Sequence, residues 1–182
     1  MTLSDTETAW GQAAFEAIRD CLADLHGFQL DIHGFEQAEE RPAGVGAIHI
    51  SMRFLCRRAS GREDGGTLLL PLPAAIALSG ILLMLPAEAI ETLRESEELD
   101  TQLRQGMLET GSMLSEAMNR VAKETKAFIS VRFDGCQGVR DGVRPALPYE
   151  DGDPLLVGRA TAELEGYPSF EILALLPPPE EA

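Results

Sequence analysis

The chain has 182 residues, 45% of them hydrophobic and 25% charged, a composition that builds a core and excludes an intrinsically disordered chain. Fifteen Lys and Arg stand against thirty Asp and Glu, a formal charge of −15. Nucleic acid and anionic membrane surfaces are poor partners for such a chain, because phosphate contacts need basic surface. The length suits one domain, expected over residues 1–176, and the proline-rich residues 177–182 read as a disordered tail.

Cys21, Cys56 and Cys136 are far apart, odd in number and form no CxxC pair, so buried thiols in a reducing cytoplasm are expected rather than a disulfide framework. His26, His33 and His49 are scattered. His26 and His33 flank Asp31 and so suggest a metal set, but ordinary loop and strand histidines are the expected reading. No metal or organic cofactor is predicted. The N-terminus carries no leader pattern. Residues 68–87 lack charge, yet Pro71, Pro73 and Pro86 interrupt them. They read as a buried strand feeding a buried helix, not as a membrane span.

Ser4 and Glu7 form a capping-box pattern ahead of a helical rhythm, Trp10, Ala14, Ala17, Ile18, Cys21, Leu22 and Leu25, with Gly27 as its stop. Phe28, Leu30 and Ile32 alternate as a short strand, and residues 34–44 read as a loop. Residues 45–56 alternate again, with Ile48, Ile50, Met52 and Phe54 on one face. The polar run 57–66 reads as a hairpin connection, and residues 67–72 as a central strand. Pro73 is expected at the first turn of a helix continuing to residue 85. Residues 87–99 read as an acidic, helical or irregular linker. Asp100 is positioned to cap a long helix over 101–125. A strand over 127–133, a loop over 134–153, and a closing hairpin of 155–164 with 170–176 complete the chain. Trp10 and the methionines Met84, Met107, Met113 and Met118 are expected as core filler. The order predicts an α+β fold, long helices on a mostly antiparallel sheet of about six strands.

On a wheel of about 100° per residue, Leu103, Met107, Leu114, Met118 and Val121 of the long helix form an apolar stripe. The opposite face carries Gln105, Glu109, Ser112, Glu116, Asn119 and Lys123, spaced i, i+4, i+7, i+11, i+14 and i+18 along one line. Most such faces are merely solvated. A row of carboxylate, hydroxyl, carboxylate and amide is also a rigid comb of hydrogen-bonding groups able to enter a partner's active site.

The segment from Thr67 to Ala122 resembles the CheC/CheX/FliY family of chemotaxis phosphatases, which dephosphorylate the aspartyl phosphate of a CheY-type response regulator. Family members carry a strand, a helix of alternating Ala and Leu, a linker, and a helix with Glu-x-x-Asn, often Glu-x-Gly-Asn. Here GTLLLPLPAAIALSGILLML and MLETGSMLSEAMNRVA stand in those places. Two registers are open. In one, Glu109-Thr110-Gly111-Ser112 overlies Glu-x-Gly-Asn, with serine replacing the asparagine. In the other, Ser112, Glu116 and Asn119 match the literal pattern, but the family's downstream proline is replaced by Asp141 and the helix beyond is short.

The resemblance implies a CheX-like domain in the cytoplasm that binds a phosphorylated response regulator, with Glu109, Ser112, Glu116 and Asn119 as candidate catalytic residues. Gln105 and Lys123 are candidate partner contacts. In the family the amide orients the attacking water and the glutamate pairs with the regulator's lysine, while the regulator supplies the metal. The resemblance also implies a homodimer through the sheet. A non-catalytic interaction or adaptor module of the same fold, in a signalling or flagellar-switch complex, is the alternative.

Overall fold

The structure is a computed structural model that describes residues 3–27, 29–38, 48–140, 143 and 154–179. Helix α1 (Asp5–His26) begins with the expected capping box. Ser4 Oγ accepts the N–H of Glu7 at 3.3 Å, and Glu7 accepts the N–H of Ser4 at 2.8 Å. It ends at Gly27, whose φ of 69° is the left-handed conformation that glycine adopts without strain.

Strands β1 (Gln29–Ala38), β2 (Ile48–Arg57) and β3 (Glu63–Pro71) follow, then helices α2 (Leu72–Leu82), α3 (Ala87–Leu93) and α4 (Thr101–Glu124). Strands β4 (Ser130–Arg140), β5 (Leu155–Glu163) and β6 (Phe170–Leu176) close the chain. The six strands form one sheet in the order β1-β5-β6-β3-β2-β4, every pairing antiparallel. The expected α+β fold is therefore present, with β3 in the sheet interior.

Several strands are longer than their local pattern. β1 runs past Gly34 to Ala38 because a register shift between Ile32 and Gly34 keeps it paired to β5. The residues 63–66, read as loop, belong to β3, and Asp64 is held there by Arg58 and Arg62. β4 continues through 134–140, its pairing with β2 shifting between Met52 and Phe54 beside Gly135, which has φ 102°. Helix α2 starts at Leu72, one residue before Pro73, and stops at Leu82. Met84 and Met113 turn out 89% and 39% exposed, not core. Residues 45–47, most of the predicted 141–153 loop and residues 180–182 lie outside the described part.

Helices α1, α2 and α4 pack on one face of the sheet and α3 packs against α2, and Trp10, Ile18, Met52, Phe54, Leu70, Ile76, Leu103 and Met107 share the core between them. Strand residues that alternate with these, Leu69, Leu155, Val157, Leu173 and Leu175, form a second buried cluster on the other face. Helix α1 sits on β5 through Phe15, whose ring fills the space a side chain at Gly158 would need.

The start of the predicted tail is docked. Trp10 Nε1 donates to the carbonyl of Pro177 at 3.2 Å, and Arg58 donates to that of Pro178 at 2.9 Å. Pro177 and Pro179 are buried. The disordered reading of residues 177–179 is thus corrected, since an indole N–H inside a core needs an acceptor and this backbone supplies it.

Candidate functional site

Helix α4 is set in place by its small residues. Asp100 caps it, accepting the N–H of Leu103 at 2.8 Å. Gly106 lies against Ser79 of α2, where a Cβ would come within 3.0 Å of the Ser79 Cβ. Gly111 lies on the ring of Phe133 in β4, where a Cβ would fall 2.3 Å from two ring carbons. Leu103, Met107, Leu114 and Met118 are fully buried, and Val121 is half-buried. These contacts fix the helix in rotation, so its outward ridge has one orientation.

Gln105, Glu109, Ser112, Glu116 and Lys123 are exposed along that ridge. Gln105 Nε2 donates to Glu109 Oε1 at 3.2 Å, tethering the carboxylate. Ser112 Oγ donates to the carbonyl of Leu108 at 3.0 Å, which leaves the hydroxyl lone pairs facing out as acceptors. Asn119 differs from the other five. It is half-buried, and its Oδ1 accepts the backbone N–H of Val131 at 2.9 Å. The six residues that share one line on a wheel therefore divide into an exposed set and one side chain turned toward β4.

Glu116 also borders a groove of about 590 Å³ between α1 and α4, whose α1 wall carries Glu16, Asp20 and Asp24. Those three residues repeat at i, i+4 and i+8, a spacing legible in the sequence as one stripe. Cys21 lines the same groove, its thiol pushed up by burial and then by Asp24. A smaller pocket of about 270 Å³ is lined by Arg104, Arg140, Glu97, Glu98 and the buried Cys136. Among the described residues no group of three or more His, Cys, Asp or Glu side chains is arranged to hold a metal, and no helix is long and apolar enough to cross a membrane. His49 is buried in β2, while the side chains of His26 and His33 lie outside the described part.

This antiparallel sheet with helices packed on one face is a fold that the chain shares with solved chemotaxis and flagellar-switch proteins. The chain has the CheC/CheX/FliY fold. It is similar to the chemotaxis protein CheX from Desulfovibrio desulfuricans, at 11% identity and a TM-score of 0.59 over 91% of this chain and 98% of that one. It is similar to FliY from Thermotoga maritima, at 13% identity and a TM-score of 0.64 over 97% and 92%. It is similar to the FliM middle domain from H. pylori, at 12% identity and a TM-score of 0.56 over 96% and 94%. At such identities the likeness is one of fold. No protein-family model and no curated protein matches the sequence.

Proposed function

We propose that this chain docks on the phosphorylated receiver domain of a CheY-type response regulator through the exposed ridge of α4, with Glu109 and Ser112 as the pair that enters the regulator's pocket. The observation that carries this reading is the setting of Glu109 and Ser112. Both are exposed, three residues apart, on a helix locked by Gly106 and Gly111. Gly111 supports the Glu-x-Gly-Ser register in physical terms, because the ring of Phe133 leaves no room for a side chain there. The competing register asks Asn119 to reach a partner while its carbonyl oxygen already holds β4.

In this role Glu109 is an anion on a long arm, suited to the regulator's lysine. Gln105 steadies that arm and Glu116 extends the acidic edge of the contact. Ser112 accepts a hydrogen bond from the attacking water, and rate then comes from positioning while the regulator supplies its own metal. A hydroxyl offers a shorter reach than an amide, so hydrolysis is slow and binding is the main activity. The protein acts in the cytoplasm, where receiver domains are phosphorylated, and pairs with a second copy of itself through the sheet.

The test mixes the purified chain with an acetyl-phosphate-charged receiver domain and follows both binding and release of phosphate. Binding that needs phosphorylation and fails in Glu109→Ala supports the reading, as does faster release with Ser112→Asn. Failure to bind any phosphorylated receiver domain overturns it. The likeness to the FliM middle domain favours a second reading, a structural module in a flagellar-switch assembly, for which binding would be indifferent to phosphorylation.

A further inference from the structure

The groove between α1 and α4 lies beside the proposed regulator-binding ridge and is not used by it, apart from Glu116 on the shared border. The two helices are antiparallel. Trp10 near the start of α1 stacks edge-on against Phe128 beyond the end of α4, at 5.2 Å, while Cys21 further along α1 lies in the field of Glu116 and Arg120. Small and aliphatic residues, the half-buried Ala13, Ala17, Ala117 and Val121, are part of the groove's lining. Its walls run from residue 13 to 25 on α1 and from 113 to 124 on α4, roughly 18 Å at the helical rise. A trough of that length with small residues in its lining accepts the apolar ridge of a third helix of about a dozen residues.

Charge selects the kind of helix. Glu16, Asp20, Asp24, Glu116 and Glu124 line the groove against Arg120 as its one lining cation among the described residues. A second copy of this chain, with 30 acidic and 15 basic residues, would meet repulsion there. Nucleic acid and anionic lipid are repelled in the same way. The acids do not converge into a metal-holding group among the described residues. We infer that the α1–α4 groove is a docking site for a basic amphipathic helix of a partner protein, with small apolar residues seated on the lining alanines and Lys or Arg flanking them opposite the acidic walls.

The probe is a fluorescein-labelled, amidated peptide of about 14 residues, with Ala and Leu on one helical stripe and Lys on the flanks. Its partner in the comparison is a peptide of the same composition with the stripe scrambled. Anisotropy titrations on the full chain are expected to show the ordered peptide binding about tenfold more tightly than the scrambled one, and losing affinity as salt rises. The double variant Asp20→Lys/Asp24→Lys is expected to weaken binding about tenfold or more, and the charge-matched Glu97→Lys/Glu98→Lys control about twofold or less. Circular dichroism checks that both fold, and Asp20→Asn/Asp24→Asn replaces the first double if it does not. Equal binding of the two peptides, equal loss in the two double variants, or no binding overturns the inference. Neither α1 substitution touches Glu109 or Ser112, so the phosphate-release assay fails or succeeds independently of this one.

Discussion

Asn119 Oδ1 holds the backbone N–H of Val131 at 2.9 Å, tying the last turns of α4 to the start of β4. A buried or half-buried N–H left without its acceptor costs about 1–3 kcal/mol. Asn119→Ala is therefore expected to lower unfolding stability by about that amount while leaving receiver-domain binding close to the parent. Ser112→Ala is expected to do the reverse, with stability nearly unchanged and phosphate release reduced. Denaturant melts beside the release assay check both. Binding lost in Asn119→Ala at unchanged stability would restore the Asn119 register.

Gly111 tests whether the setting of α4 matters. An alanine there gains about 1 kcal/mol of helix propensity, but its Cβ would lie 2.3 Å from carbons of the Phe133 ring. Overpacking of that kind costs about 1–3 kcal/mol, so the clash wins and Gly111→Ala destabilises. The paired change Gly111→Ala/Phe133→Leu removes the obstructing ring and is expected to recover part of the loss. A thermal melt of the single and double variants reads this directly, and a stabilised single variant would contradict the contact.

What the sequence made legible was local. The Ser4–Glu7 box, the Asp100 cap and the apolar stripe of α4 are set by neighbours within a turn, and each stands where spacing put it. Strand lengths were not legible, because Gly34, Gly65, Gly66 and residues 134–140 look like loop until a partner strand supplies the hydrogen bonds. The candidate site divides the same way. A wheel places Asn119 beside Ser112, but it carries no information on where β4 starts. The acidic stripe of Glu16, Asp20 and Asp24 was present in the sequence, yet its facing wall on α4 exists only once the two helices pack antiparallel.

The C-terminal prolines give a prediction opposite to that of a free tail. Ending the chain at Leu176 removes the acceptors of the Trp10 indole N–H and of one Arg58 N–H. Trp10 is fully buried, so water does not replace the lost carbonyl without opening the core. The truncated chain is expected to lose about 1–3 kcal/mol of stability, with a lower urea midpoint at unchanged slope. A midpoint equal to that of the full chain would show these contacts to be dispensable.

Cys56 provides a pH signature of the core. It is fully buried, and burial, aided by the nearby Asp64 carboxylate, pushes its thiol from an ordinary 9.0 up to about 12. Because the folded value is raised, the neutral thiol's contribution is fully present below pH 9 and is lost as pH climbs toward 12. In that window the unfolded chain releases the proton and the folded chain keeps it. Stability thus falls with a slope of about 1.4 kcal/mol per pH unit from this one group. Cys56→Ala removes the titrating group, and although it also leaves a small void, the void shifts stability equally at every pH. The expected result is a parent-minus-variant difference that is flat below pH 9 and declines above it, measured by urea melts across the alkaline range. A difference that stays flat throughout would place the Cys56 thiol in contact with solvent.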